Sequence, residues 1–311
     1  MVDTFSDCVI EYPQRSISLV IGGPPGGGTD MLARRVCERI SVLLGQRVRI
    51  EYRLGASGNL AAMAVAQAKP DGYTILLGTR SATLHRKMYP HLAYDFGHDL
   101  TPIAMLARVP VGIVMGHHVL ASNLRDVIRM ARENPNRFSA ATLGVGTTDH
   151  LVSVLLRNAA RIQWQHVPYM EMSRALKDVV GGRVDLLFAQ LAGGVSHLNA
   201  GSVRGLAVTS TSRVADFPDI PTIAEVGFPQ ASADDWFVAL APSATPSDVL
   251  AKLNDAFNQA LEDQTLRWCL GRMGYLLPSS KNTAVSVKAH LADDNTRWTS
   301  VIQDNQISGF Q

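Results

Sequence analysis

Ser16-Ile-Ser-Leu-Val-Ile-Gly-Gly-Pro-Pro-Gly-Gly-Gly-Thr-Asp30, running on into Met31-Leu-Ala-Arg-Arg-Val-Cys-Glu-Arg-Ile40, holds three patterns in succession. An apolar run from Ile17 to Ile21 gives way to five glycines and two prolines. Apolar residues then recur at Met31, Leu32, Val36 and Ile40 with the helical period. The order is strand, tight loop, helix. Glycine lets a backbone take positive φ and lets a ligand approach without meeting a Cβ, while Thr29 or Asp30 can cap the helix. First-turn N–H groups without helical partners, with the positive end of the helix dipole behind them, favour an anion, whether carboxylate or phosphate.

Taken alone, the loop leaves three readings open: a small-anion site, a dinucleotide site and a structural turn. A Walker loop needs lysine before the hydroxyl residue, and here Gly28 precedes Thr29. A dinucleotide fingerprint needs a third glycine where Met31 stands, although Glu51, at the end of the strand-like Arg47-Val-Arg-Ile-Glu51, sits where a ribose-binding acid would.

A chain of 311 residues, 46% hydrophobic and 18% charged, can bury a substantial core and is expected to form two lobes. A net charge of +2 on scattered basic residues disfavours nucleic acid as a partner. No apolar run approaches the roughly 20 residues of a membrane span. Met1 to Ile10 lacks a basic stretch followed by a long apolar one, so either the protein is cytosolic or a signal has been removed. Cys8, Cys37 and Cys269 fit neither a disulfide framework nor a zinc spacing.

Further along, Arg47 to Tyr52 reads as a strand and Gly55-Ala-Ser-Gly-Asn59 as a second small-residue turn, ahead of a helix over Leu60 to Ala68. Pro70-Asp-Gly72 is a turn, Tyr73 to Leu77 a strand, and Gly78-Thr-Arg-Ser-Ala-Thr83 a third polar loop. The repeated order implies a parallel sheet whose carboxyl-end loops converge on one edge, where ligands bind. Asp99 to Val114 is expected as two β segments around Pro110, leading to a second lobe. There Asn123 to Arg132 reads as a helix and Phe138 to Thr142 as a strand. Leu143-Gly-Val-Gly-Thr-Thr-Asp-His150 then repeats the opening device ahead of an apolar helix, so that two such loops face each other across a cleft. Trp236 to Leu240 is expected to return to the first lobe, and the chain from Pro246 is mainly helical.

Catalytic signals are weak. No G-x-S-x-G elbow and no H-E-x-x-H is present, and His117 and His118 are adjacent, so no metal or other cofactor is expected. Asp149-His150 at a helix start reads as a cap and a first-turn ligand contact before it reads as an acid and base. Arg80, the one basic residue in the first three loops, reads as a solvated surface arginine before a partner for an anion. What remains is a site of backbone N–H groups, hydroxyls and the Asn59 amide, suited to binding without reaction.

A set of motifs then resembles one family. Tyr12-Pro-Gln-Arg-Ser-Ile-Ser-Leu-Val, Pro24-Pro-Gly-Gly-Gly-Thr-Asp30, Gly55-Ala-Ser-Gly-Asn59, Pro70-Asp-Gly-Tyr-Thr-Ile-Leu-Leu-Gly78, His166-Val-Pro-Tyr169, Gly181-Gly-Arg-Val-Asp185 and Pro218-Asp-Ile-Pro-Thr-Ile-Ala-Glu225 are similar to the tripartite tricarboxylate transporter solute receptors, the Bug family, in the family's order from Tyr12 to the final helices. The resemblance implies a periplasmic, monomeric, two-lobed α/β receptor of the Venus-flytrap kind, each lobe a mainly parallel sheet flanked by helices. It implies a protein that is not an enzyme and needs no cofactor, but closes on a small carboxylate and presents it to membrane permease subunits. A cytosolic α/β enzyme acting on a nucleotide or coenzyme-linked acid is the alternative.

The lobes are expected over residues 11–106 with 238–311 and over 107–237, after a leader at 1–10. Carried over, the ligand contacts are Pro25, Gly26, Gly27, Thr29 and Asp30; Ala56, Ser57, Gly58 and Asn59; Thr79, Ser81 and Thr83; Gly146, Thr147, Thr148, Asp149 and His150; and Tyr169 and Gln190. Three departures stand out. Gly22-Gly23 replaces the usual Pro-Phe, which removes an aromatic wall. Met170-Glu-Met-Ser173 replaces Lys-Gly-Ser and adds an acid near the cleft. Phe188-Ala-Gln190 replaces Phe-Asp-Asn and removes one.

Overall fold

The computed structural model describes residues 11–88, 92–279, 282–305 and 307. The expected leader, with Cys8, lies outside them. Strand β1 (Ile17–Ile21) is central to a parallel trio, with β2 (Val48–Tyr52) on one side and β3 (Thr74–Thr79) on the other. Both faces of the trio are covered by helices, which is why β1 reads as an apolar run and not as an alternation. On one face, α1 (Gly28–Leu44) packs Leu32, Val36 and Ile40 together with Leu253 and Phe257 of α9 (Ser247–Glu262). On the other, Ala61, Ala62 and Val65 of α2 (Asn59–Ala66) meet Val287 and Leu291 of α11 (Ala284–Asp304). The helix α10 (Gln264–Arg272) adds Leu266 and Leu270 to the first of these cores.

Two long strands join the lobes. Strand β9 (Asp234–Pro242) is antiparallel both to β3 and to the first part of β4 (Leu100–Met115), which follows the short α4 (Phe96–Asp99). Side chains of β9 alternate between the two cores, with Phe237, Ala239 and Ala241 in one and Trp236, Val238 and Leu240 in the other. From Leu100 to Pro110, β4 pairs with β9; from Val111 onward it pairs with β7 (Leu186–Gln190), and from Gly112 also with β8 (Arg204–Val208). The two segments expected around Pro110 are therefore one strand of 16 residues. Proline has no N–H to donate, and Pro110 falls where the ladder changes partners, so it interrupts no strand.

In the second lobe, β5 (Ser139–Thr142) lies parallel to β6 (Gln165–Pro168) and β7. Helices α5 (Leu124–Glu133) and α6 (Thr148–Ala160) cover one face through Val127, Ile128, Leu151 and Leu156. Helix α7 (Met172–Val180) covers the other through Ala175, Leu176 and Val179. At the far end of α11, Trp298 and Ile302 join the core under α5 and α6, so this helix spans both lobes.

The strand order is β2-β1-β3-β9-β4-β7-β5-β6, with β8 against β4. The expected two-lobed α/β architecture is present, but the sheet is evenly mixed where a mainly parallel one was expected. The pairings made by β1 and β5 are parallel; every pairing of β4 and β9 is antiparallel, because the chain leaves the first lobe along one and returns along the other. The polar loop expected over Gly78 to Thr83 is also replaced. Strand β3 runs to Thr79 and α3 (Arg80–Met88) starts at the next residue. Helix α8 (Leu191–Asn199) was not anticipated, since Gly193 and Gly194 weaken its local signal. Among the described residues no helix is long and apolar enough to cross a membrane.

Candidate functional site

The carboxyl ends of β1, β2 and β3 in one lobe and of β5, β6 and β7 in the other converge on a cleft of about 560 Å3. Its first wall is the loop opening α1. Gly26 holds φ 78°, a left-handed conformation, and donates its N–H to Asp30 Oδ2 at 2.8 Å. Asp30 also accepts from the Tyr52 hydroxyl at 2.7 Å and from Arg34 Nε at 3.0 Å. Burial works to raise this carboxyl, but the Gly26, Tyr52 and Arg34 hydrogen bonds outweigh it and hold the group below the ordinary range. Asp30 is thus a latch behind the loop. It does not line the cleft, where Gly27, Gly28 and Thr29 do.

The loop opening α6 repeats the device with different chemistry. Gly146 holds φ 79° and donates its N–H to His150 Nδ1 at 3.2 Å, the same spacing as Gly26 to Asp30. The His150 ring packs on His166 at 4.5 Å between centroids. Burial, then the neighbouring His166, lowers the His150 pKa to about 4, so the latch in this lobe is a neutral imidazole. Asp149 accepts the Leu143 N–H at 2.5 Å, and burial raises its carboxyl to about 6 against the pull of that hydrogen bond.

The third wall is the turn between β2 and α2. Gly55, Ala56, Ser57 and Gly58 all have positive φ, and two of them carry a Cβ, a strained run at the edge of the cleft. A Cβ on Gly22 would stand 2.4 Å from Gly58 Cα. The departure at Gly22 therefore lets two backbones touch and draws the second turn against the first. Across the cleft, a Cβ on Gly144 would lie 3.7 Å from Ser57 Oγ, so the β2–α2 turn faces the α6 loop directly.

Arg80 is neither solvated nor open to the cleft. It is 3% exposed; its Nε and Nη2 donate to the two oxygens of Asp294 at 2.8 and 3.0 Å, its Nη1 donates to Thr148 Oγ1 at 3.2 Å, and its Nη2 also reaches the Asp234 carbonyl. Burial works to raise Asp294, but hydrogen bonding and charge from Arg80, with the Trp236 indole, bring it below the ordinary range. At the floor, Gln190 Nε2 donates to Asp235 Oδ2 at 2.8 Å. Gly28 lies close by, since a Cβ there would meet Gln190 Oε1 at 2.5 Å.

Of the expected contacts, the cleft brings together Gly27, Thr29, Ala56, Ser57, Gly58, Thr79, Ser81, Thr147, Asp149, Tyr169 and Gln190. Pro25, Gly26, Asp30, Asn59, Thr83, Gly146, Thr148 and His150 are not among its lining residues. Thr148 is tied to Arg80 and Thr83 to the Arg80 carbonyl, whereas Asn59 is buried with its side-chain oxygen unpartnered. Tyr169 presents its ring and gives its hydroxyl to Asp178 at 2.9 Å. Sequence reasoning missed Leu54, Leu143, Val145 and Asp235. The first three are apolar residues at strand or loop ends that periodicity assigns to a core. Asp235 is the second of two acids opening β9, a signal that could have marked it. Among the described residues no group of three or more His, Cys, Asp or Glu could hold a metal ion.

The receptor profile of the tripartite tricarboxylate transporter family matches residues 32–307, and the chain belongs to that family. BugT of Bordetella pertussis is 31% identical over 297 residues, covering 94% of this chain and 90% of that protein. A Rhodopseudomonas palustris protein solved with adipate superposes with a TM-score of 0.90 at 32% identity, over 96% of this chain and 100% of the other. MatC of the same organism, solved with bound malate, superposes with a TM-score of 0.86 at 30% identity, over 94% and 100%.

Proposed function

We propose that this protein is an extracytoplasmic solute receptor that takes a small carboxylate into the cleft, closes its lobes over it and delivers it to the permease subunits of a tripartite tricarboxylate-type transporter. The observation that carries this reading is the pair of helix-opening loops, at α1 and α6, that face a shared cleft from opposite lobes. Each offers backbone N–H groups at the positive end of a helix, where an anion regains the hydrogen bonds it loses on leaving water. The adipate and malate bound by related receptors support the choice of carboxylate over phosphate.

In this reading the carboxylate sits among Gly27, Thr29, Ser57, Gly58, Thr79, Ser81 and Thr147, with Tyr169 and Gln190 bounding the remaining space. Asp30 and His150 act behind the loops as supports. The lobes comprise residues 11–106 with 238–311, and 107–237, and they move about the β4–β9 ribbon with α11 bridging them. The protein works as a monomer and carries out no chemistry, a reading supported by the engagement of Asp30, Asp149 and His150 with loop N–H donors.

A thermal-shift series tests it, with adipate, malate, other small carboxylates and amino acids set against NAD and ATP. A ligand at 100 times its Kd adds about 2.7 kcal/mol to apparent stability. Stabilisation by at least one small carboxylate is expected. Stabilisation by NAD or ATP alone, or by none of the acids, would overturn the receptor reading.

A further inference from the structure

Beyond the two loops, the cleft has a charge pattern of its own. Three acids line it, Asp149, Glu171 and Asp235, and among the described lining residues there is no lysine, arginine or histidine. Two of these acids are engaged by the protein. Asp149 is buried and accepts the Leu143 N–H. Asp235 is 4% exposed and accepts from Gln190 Nε2 at 2.8 Å and from the Trp236 N–H at 2.9 Å, with Arg80 beside it.

Glu171 differs from both. It stands at the N-cap of α7, yet its side chain makes no capping hydrogen bond and has no basic partner among the described residues. It is exposed, between Met170 and Met172, and lines the same cleft as Leu54 of the first lobe and Val145 of the second. The cleft is therefore dipolar. The N-termini of α1 and α6 supply partial positive charge at the glycine loops, and on the β6–α7 side the full charge of an unpaired carboxylate outweighs the partial charge of the α7 N-terminus beside it.

We infer that the ligand carries a single carboxylate and, at its other end, a hydrogen-bond-donating or cationic group that meets Glu171, so that dicarboxylates are disfavoured. This rests on the receptor reading and narrows its substrate class. A second ligand carboxylate near Glu171 would add a like charge with no cation in the lining to offset it, whereas an amide or ammonium would find an acceptor. The group must be carried on a short apolar spine, since Leu54, Met170 and Met172 offer hydrocarbon and no hydrogen bonds.

The test is calorimetric titration with two matched sets, adipate, its monoamide and 6-aminohexanoate, then succinate, its monoamide and 4-aminobutanoate, against the wild-type protein and Glu171→Gln. In at least one set the monoamide or the amino acid is expected to bind about tenfold tighter than the diacid, the effect of a like charge several ångström away in a half-wet site. Glu171→Gln should bring the diacid to within about twofold of the monoamide, and raised salt should improve diacid binding in the wild type only. A wild-type protein that binds the diacids as well as or better than their partners overturns the inference and leaves the receptor intact. So does a Glu171→Gln variant with an unchanged ratio. If no compound of either set binds, the inference fails, and the thermal-shift series decides whether the receptor reading fails with it.

Discussion

Arg80→Met should cost about 3–5 kcal/mol of stability, the range for breaking a buried ion pair by removing one partner. Arg80 and Asp294 have side chains only 4% and 9% exposed. The substitution would leave Asp294 with the Trp236 and Trp298 indole donors, at 2.8 and 3.2 Å, and, among the described residues, no hydrogen-bonded ion-pair partner. It would also free the Asp234 carbonyl and Thr148, and remove the guanidinium that lies 4.9 Å from the Trp298 ring centroid. At about 2.1 cal/mol/K per residue, the unfolding entropy over 311 residues is about 0.65 kcal/mol/K, so a loss of 4 kcal/mol lowers Tm by about 6 °C. Urea unfolding read by Trp fluorescence gives the free energies for Arg80→Met, Asp294→Leu and the double variant. The pair is expected to couple, the double variant losing at least about 2 kcal/mol less than the sum of the singles. A loss below about 1 kcal/mol in Arg80→Met, or strict additivity, would refute the assignment of this pair as a buried clasp.

Asp30→Ala is expected to lower stability by about 2–4 kcal/mol, because it leaves the Gly26 N–H and the Tyr52 hydroxyl without their acceptor. It should also weaken binding of the tightest acid from the screen by about tenfold, through a loop that must be ordered on binding. A folded Asp30→Ala protein with unchanged affinity would show that the latch does not preorganise the loop. His150 predicts an acid response. Its folded pKa of about 4 lies below the ordinary value of 6.5, so the unfolded chain binds the proton more tightly. Its stabilisation is complete above about pH 6.5 and is lost as pH falls toward 4, at a cost of about 3 kcal/mol. Tm scans from pH 7 to 4 should fall less steeply for His150→Gln, and a parallel slope in both proteins would contradict this.

The opening loop and its counterpart before α6 were legible because their signals are local: an apolar run, glycines at left-handed positions, and an acid or imidazole in the first helical turn. The fate of Arg80 was not, since its partner Asp294 lies 214 residues away and no local pattern distinguishes a clasped arginine from a solvated one. Asp30, expected to cap its helix and to meet the ligand, stands in the first turn of α1, where it takes the Gly26 N–H behind the loop, and is not among the residues lining the cleft. A side chain at that helical position can turn either way, and the Tyr52 hydroxyl on the neighbouring strand, which accepts no local prediction, turned it back. Strand direction was hidden for a related reason. The apolar pattern of β9 is the same whether it runs with or against β3, and only the return path from the second lobe decides between them. Gly22 illustrates a third case, because its meaning lies in the approach of Gly58.

Strand β4 passes from one lobe to the other without a break, paired with β9 up to Pro110 and with β7 and β8 beyond it. A joint of this kind behaves as a leaf spring and not as a swivel: bending it stores elastic energy without requiring any ladder hydrogen bond to be given up. In the receptor reading, the resting angle of the lobes would be set in part by side chains on the flanks of the ribbon, among them Trp236 and the Arg80–Asp294 pair. On that reading, substitutions at residues that never meet the ligand can therefore change binding strength by shifting that angle.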